Sequence, residues 1–538
     1  MPPALPPTSH DGSIVDTLQS LIIAFVLAMT FRGFVTEGFV IPTGSMAPTL
    51  MGQHVLLHSD QSGVTFPVGL DQWMDRLRLK GGAADLYGAI QQRTVDPMLG
   101  PKFPGSGPHN PVVRSHMGDR ILVLKCLYPF SEPERFDVVV FKNPTEPIGD
   151  AGNYIKRLIG LPNEQIWLAD GDVFARPDGE SEFVIQRKPE HVQRAVWQRI
   201  YDSDYPPINP QRLEGRAYDG PPWHGEKWQT TVRDDQNILR GTRAYRCEVA
   251  APSTLEWRNE LRQIDDWTVY NMLSTTPPPV PVSDIRVSAA IRADSDQFKT
   301  RLELQARSYI FEFVLENGKA IVRMKPQGPE TEWVKAEEPI ELPDPGKVFN
   351  VEFWHVDQSM SIFIDGERVV NLDHQYDWGP MQRMHLATGE PAGDVDAMLA
   401  RIPPQPRLTW HFEGSPVTLT HVRLDRDLYY RADRLRDQKN QPRIHGPAFG
   451  THPEENKAVL GPDQFMMCGD NSQMSLDSRL WGRPHPLIAQ EIDPAPFVVN
   501  RELLLGKAWV VYFPSTFSIK DGGGLPVVPD FGRLRFIR

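Results

Sequence analysis

Between Asp16 and Arg32 lies a run of fifteen residues, Thr17 to Phe31, that carries no charge. A helix crossing a bilayer needs about 20 largely apolar residues, and Ile14 to Val35 supplies 22 if the flanking charges sit at the two interfaces. A cleaved secretory signal is the main alternative, because its apolar region can be this short. The preceding residues hold no Lys or Arg, however, and no convincing small-x-small cleavage site follows, so residues 1–35 read as a retained anchor. Charge does not orient this anchor: its N-terminal flank has no Lys or Arg, and Arg32 lies on the other side.

After the anchor the pattern turns to short β-branched runs: His54 to Leu57, Arg120 to Leu124 and Asp137 to Phe141. These predict a mainly β domain beginning at residue 36. Residues 59–113 interrupt it with a helix expected near Leu70 to Leu79 and a Gly/Pro-rich stretch from Pro97 to Pro111, and read as a surface insertion. Gln165 to Ala169 and Asp172 to Ala175 form a predicted hairpin around the two-residue turn Asp170-Gly171. Residues 176–253, rich in Pro and Trp with one helix expected at Glu190 to Tyr201, read as a connector.

Residues 254–432 carry a second β pattern: Ile285 to Ile291, Tyr309 to Val314, Phe349 to Val356, Ser361 to Val370 and Thr418 to Leu424. Strands repeated with polar turns predict a two-sheet sandwich. A linker at 433–454 follows, and the first domain resumes over 455–538 with a closing strand at Leu504 to Pro514. At 538 residues the chain exceeds what one core usually serves, which agrees with several domains.

Composition removes some functions. With 57 Lys and Arg against 69 Asp and Glu, a net charge of -12 offers no surface for neutralising phosphates, so nucleic acid is not a predicted partner. Cys126, Cys247 and Cys468 are too few and scattered for a disulfide framework or a Cys-rich zinc site. His54 and His58 are four apart, but on a strand that spacing does not make a metal pair, and no metal or cofactor is predicted.

Three blocks carry the chemistry. The first is Ile41-Pro42-Thr43-Gly44-Ser45-Met46-Ala47-Pro48-Thr49-Leu50, with Ser45 fourteen residues after Phe31. The second is Tyr154-Ile155-Lys156-Arg157-Leu158-Ile159-Gly160-Leu161-Pro162, and the third runs from Gly469-Asp470-Asn471-Ser472 through Ser475-Leu476-Asp477-Ser478-Arg479 to Gly482. In this order they resemble the bacterial type I signal peptidases, over roughly the first 175 and last 85 residues.

The resemblance implies a serine endopeptidase with a Ser/Lys dyad. A serine hydroxyl is a weak nucleophile and needs a base, and a lysine serves only when neutral. By resemblance Ser45 is the nucleophile and Lys156 the base; its neighbours Ile155, Leu158 and Ile159 suit a buried, less basic amine. Ser475 matches the family's orienting serine, and Thr43 with the Ser45 N–H matches the oxyanion donors. Arg157, Asp470, Asp477 and Arg479 match bracing charges, with an Arg157–Asp470 pair expected. Ile41, Pro42, Met46, Leu50, Tyr154 and Ile155 are expected to line shallow pockets for small residues before the cut. Ser472 departs from the arginine common at that position.

The implied partners are exported preproteins and membrane lipid. The implied location is the inner (cytoplasmic) membrane, single-pass, with the catalytic domain on the outer, periplasmic side.

The stretch Phe363-Ile364-Asp365-Gly366-Glu367-Arg368-Val369-Val370 is similar to concanavalin-like or laminin-G-like jelly rolls, which leaves a glycan or protein ligand open for the sandwich. Trp354, Trp378 and Trp410 serve either as sugar platforms or as core. No expected catalytic group lies within 254–432, so that unit is expected to be separable from cleavage. Two other functions compete. Self-cleaving repressors related to the SOS response share a Ser/Lys dyad but need a DNA-binding domain. A non-catalytic envelope protein with a ligand-binding sandwich remains the alternative of another class.

Overall fold

In a computed structural model of the chain, the described residues are 14–70, 88, 90, 93–101, 114–147, 152–207, 220–233, 242–273, 277–328, 331–373, 378–432, 435, 446–514, 529 and 531–538. The fold is mainly β, as the sequence patterns predicted. Ile14–Phe34 is one continuous helix of 21 residues, about 31 Å at 1.5 Å per residue. Its Asp16–Phe34 portion has a mean hydropathy of 1.5 and is not buried against the other described residues, so by length and composition it can cross a membrane.

The helix passes directly into Thr36–Val40, the edge strand of the main sheet. That sheet runs Thr36–Val40, Arg120–Leu124, Leu504–Phe513, Val138–Lys142, Asn153–Gly160, Gln464–Cys468, Val499–Asn500, with Arg535–Phe536 added on Leu504–Phe513. Every neighbouring pair is antiparallel. Late strands therefore lie between early ones, and the sheet closes only after the last part of the chain has been made. Ile41, Met46, Leu50, Ile121, Val123, Val138, Val140 and Ile155 form the apolar layer beneath it.

A second core holds the sandwich. Strands Ile285–Ala293, Val348–Val356, Ser359–Ile364, Glu367–Leu372 and Val417–Arg426 form one sheet, and Lys299–Ala306, Tyr309–Glu316, Lys319–Pro326, Val334–Pro339 and Arg407–Glu413 form the other. Their facing side chains make one apolar cluster. Trp354, Trp378 and Trp410 are all buried, so they pack and present no sugar platform.

Three expectations need correction. Residues 176–253 are not a connector: Gln198–Asp202, Trp228–Arg233 and Thr242–Cys247 extend the first sandwich sheet, and Trp223–His224 with Ser253–Trp257 extends the second. The prolines and tryptophans there punctuate strands, and Trp223 lies wholly in the core. The helix at 190 ends at Val196, where the chain becomes a strand. Nor is 59–113 wholly a surface insertion. Thr65–Gly69 and Arg114–His116 flank His54–His58 in a three-stranded sheet, and Val64, Phe66, Val68 and Ile90 are buried beside Leu273. Apart from Leu70, the helix expected to Leu79 lies outside the described residues, as does the Gly/Pro-rich stretch beyond residue 101.

The hairpin Glu164–Ala169/Asp172–Pro177 turns at Asp170-Gly171, both residues having positive φ (51° and 91°), which suits an Asp-Gly two-residue turn. A Cβ on Gly171 would come 2.3 Å from the Tyr429 ring, so the turn also needs glycine for close approach. The turn plugs into the sandwich through buried charges. Arg307 grips Asp170 with two bonds of 2.6 and 2.8 Å, Arg383 lies 2.9 Å from Asp170 and from Asp284, and Lys188 lies 2.5 Å from Asp357 and 2.8 Å from Asp427.

Candidate active site

Ser45 lies in the loop after the first strand, and Lys156 in the middle of Asn153–Gly160. Strand alternation sets Lys156 on the same face as Tyr154, whose ring centroid is 5.1 Å from Nζ. Lys156 Nζ is 2.6 Å from Ser45 Oγ, although the two are 111 residues apart. Lys156 is 3% exposed and Ser45 8%. Burial brings the Lys156 pKa from 10.5 down to about 8, against the opposing pull of Asp477. An amine with that pKa is neutral in about a tenth of molecules at pH 7, several hundred times the neutral fraction of an ordinary lysine.

The third block wraps the Ser45 loop. The Asn471 N–H donates to the Ser45 carbonyl at 3.0 Å, and Asn471 Nδ2 donates to the Gly44 carbonyl at 2.9 Å. At Gly469 an added Cβ would lie 2.2 Å from Ser475 Oγ and 2.4 Å from the Ser45 carbonyl oxygen. Only a residue without a side chain lets these segments meet.

Charged pairs brace this contact. Arg157 binds Asp470 through two bonds of 2.8 and 2.7 Å with both side chains fully buried, and Thr49 Oγ1 donates to Asp470 at 2.6 Å. The pair thus ties the strand of Lys156 to the loop of Ser45. Arg479 binds Asp477 at 2.9 and 2.8 Å, and the Gly469 N–H also donates to Asp477 at 2.9 Å. Burial alone would raise the Asp477 carboxyl, but the Arg479 guanidinium holds it below its ordinary value. Ser472, the departure from the family pattern, accepts from Arg479 Nη1 at 2.7 Å and from the Arg431 N–H at 2.9 Å. Its hydroxyl serves as an acceptor for guanidinium in place of supplying one.

The other site residues are distributed unevenly. Ser475 is buried beside Gly469; its hydroxyl has no partner at hydrogen-bonding geometry among the described residues, though it is near enough to Asp477 to favour that carboxylate. Thr43 and Pro42 are exposed, Tyr154 is half-buried, and Ile41 and Ile155 are 3% and 8% exposed. Met46 and Leu50 have no accessible surface. The expectation that these two line a shallow pocket is not met: both are large and apolar and sit in the core under the sheet.

Sequence reasoning did not single out Asn471, Tyr270 or Asn271. Asn471 stood inside a recognised block, so its place in the block was the available signal. Tyr270 and Asn271 lie in a short segment with no local signal at all. The Tyr270 ring covers Gly44, where an added Cβ would be 2.3 Å from Cε1, and the Asn271 side chain pairs with that of Asn471.

Among the described residues, Asp172, Asp284 and Asp357 are the group spaced to hold a metal ion, but Arg383 and Lys188 already supply cations there. Among the described residues no such group lies around Ser45 and Lys156.

A family model described as "Signal peptidase, peptidase S26" matches residues 109–199. A Signal peptidase I of Leptolyngbya laminosa is 24% identical over 198 residues, 35% of this chain and 65% of that protein. A Signal peptidase I of Pseudomonas fluorescens is 24% identical over 184 residues, 34% and 45% of the two chains. A probable signal peptidase I-2 of Synechocystis sp. is 31% identical over 111 residues, 20% and 48%. The chain thus spans less than two thirds of the length of these curated relatives. Among solved structures, a carbohydrate binding module from Bacillus subtilis is 8% identical with a TM-score of 0.21, covering 38% of this chain and 95% of that one. A Caenorhabditis elegans galectin is 15% identical with a TM-score of 0.18, covering 28% and 91%. At such scores these two likenesses carry no argument. Over residues 109–199 the chain is thus similar to the family described as signal peptidase, peptidase S26, and that match runs through the strand that carries Lys156.

Proposed function

We propose that the protein is a membrane-bound serine endopeptidase that removes N-terminal signal peptides from exported preproteins through Ser45 and Lys156. The observation that carries this reading is the 2.6 Å contact between Ser45 Oγ and the buried Lys156 amine. In its neutral form Lys156 accepts the Ser45 proton as Oγ attacks the scissile carbonyl. The oxyanion that forms is held by the Ser45 N–H and the Thr43 hydroxyl. Lys156 then gives its proton to the departing amine, leaving an ester on Ser45, and next draws a proton from the water that hydrolyses that ester. Ser475, Asp477 and Arg479 hold the wall beside the amine, and the Arg157–Asp470 pair holds strand and loop in register.

Pro42 and Tyr154 are the accessible side chains of the proposed substrate channel, and Ile41 and Ile155, nearly buried in the same apolar layer as Met46 and Leu50, form its floor; that filled floor leaves room for small residues before the cut. The apolar helix supports an anchored, single-pass enzyme, and the family resemblance supports the cytoplasmic membrane with the remaining domains on the outer face. Ser45→Ala and Lys156→Ala should each abolish cleavage of a preprotein at neutral pH, without additivity in the double variant. Cleavage retained by either would sink the dyad and favour the non-catalytic alternative.

For the sandwich the proposed ligand is a glycan, on an open groove of about 670 Å³. Glu256, Lys299, Arg301, Arg323, His411 and Glu413 line it; Lys299 pairs with Glu413 at 3.1 Å, and Arg301 and Arg323 pair with Glu312, so these side chains are held in place with further N–H and oxygen positions left for sugar hydroxyls. Titration with soluble cell-wall oligosaccharides should show binding that Arg301→Ala removes; no binding by the parent protein would discard this ligand class.

A further inference from the structure

Residues 268–273 belong to the long stretch between the second and third sequence blocks, yet they reach the loop that carries Ser45. Val269–Asn271 is a single 3-10 turn, opened by Thr268, whose hydroxyl accepts from the Tyr270 N–H at 3.3 Å. The chain just before this turn is held by residues at and just after the end of strand Val417–Arg426 and by the third sequence block. Asp266 is gripped by Arg431 at 2.5 and 2.7 Å, and its carbonyl accepts from Arg426 and from Gln473 at 2.9 Å each.

From this base two side chains enter the candidate active site. The Tyr270 ring lies between two backbones: a Cβ on Gly44 would be 2.3 Å from its Cε1, and one on Gly69 2.5 Å. It also packs on Ala47 and Met51. Asn271 forms a reciprocal amide pair with Asn471, Nδ2 to Oδ1 at 2.8 Å in each direction. Both asparagines are buried, at 4% and 5% exposure. The terminal torsion of an asparagine side chain is broad and nearly two-fold, so an unpaired Asn471 amide can turn over. The pair fixes it with the oxygen toward Asn271, which leaves the second N–H of Asn471 for the Gly44 carbonyl.

Resting on the proposed Ser45/Lys156 reading, we propose that Asn271 and Tyr270 are positioning residues through which the sandwich sets the nucleophile loop. Gly44 is held from above by the Tyr270 ring and from the side by the Asn271–Asn471 pair, and Ser45 is the next residue. A displacement of about 1 Å at a reacting group can cost on the order of 100-fold in rate. On this reading the sandwich takes part in the catalytic assembly, which runs against the expectation that residues 254–432 can be removed without loss of cleavage.

The test uses full-length protein in detergent and a soluble signal-sequence peptide, with kcat, KM and Tm measured for Asn271→Ala, Asn471→Ala and the double variant. Asn271→Ala should lower kcat by about 10- to 100-fold with KM changed less than about twofold. The double variant should be no slower than Asn471→Ala, since the two amides act as one unit. Asn271→Ser, which retains a small polar group, is the second variant if Asn271→Ala folds poorly, and should show the same kcat loss. Parental kcat in a folded Asn271 variant, or additive losses, would overturn the inference. Ser45→Ala is run alongside: full activity there removes the dyad reading itself, whereas a dead Ser45→Ala with an unaffected Asn271→Ala removes only the positioning role.

Discussion

Lys156→Met should make the protein more stable while eliminating cleavage. The lysine amine is buried, and its pKa falls from 10.5 to about 8 chiefly through loss of hydration. At about 1.4 kcal/mol per pH unit, that difference places a cost of about 3 kcal/mol on the charged amine at pH 7. Methionine has a similar length, fills the same space and needs no hydration. It forfeits the contact to Ser45, worth about 1 kcal/mol. The net gain is about 2 kcal/mol, or about 4 to 8 °C in the melting temperature of the catalytic unit.

The pH dependence gives the sign. The folded state loses the Lys156 proton near pH 8 and the unfolded state near 10.5, so between those values the unfolded chain binds more protons and the parent gains stability as pH rises. The advantage of the methionine variant is therefore full below pH 8 and fades toward pH 10.5. Melting curves of parent and variant at pH 7 and pH 10 measure this. A variant that melts lower at pH 7, or a difference that stays constant with pH, would refute the claim that Lys156 is held in an unfavourable environment for its base role.

Three further perturbations follow from the geometry. Gly469→Ala forces a Cβ within 2.4 Å of the Ser45 carbonyl oxygen, a backbone atom, and should lower cleavage more than 100-fold with a lowered melting temperature. Asp470→Asn leaves the Arg157 guanidinium buried without its counter-charge and should cost about 3 to 5 kcal/mol, read by urea unfolding. Removing residues 1–35 should move the protein from the membrane to the soluble fraction. It should reduce processing of membrane-bound precursors far more than cleavage of a soluble peptide, because the anchor raises effective concentration.

The parts legible in the sequence were those whose chemistry is local. An uncharged run makes a helix, an Asp-Gly pair makes a two-residue turn, and Ser45, Lys156 and the Gly469–Arg479 stretch stand in compact blocks. What escaped depends on distant partners. Nothing around Asn271 indicates that its amide meets Asn471, 200 residues later, and only the folded chain brings Tyr270 over Gly44. Residues 198–257 were obscured by their prolines and tryptophans, which mask strand alternation although Trp223 and Trp257 pack in the sandwich core. Met46 and Leu50 follow Ser45 closely in sequence, and that proximity suggested a pocket; their apolar bulk sends them under the sheet instead.

The most direct measurement is the pH profile of kcat/KM for cleavage of a preprotein, which reports the ionisations of the free enzyme. With Lys156 as the base, the rate should rise about tenfold per pH unit through pH 6 and 7 and level off above about 8, the pKa that burial gives this amine. A flat profile, or a rise centred on the value of an ordinary histidine near 6.5, would contradict Lys156 as the group that activates Ser45.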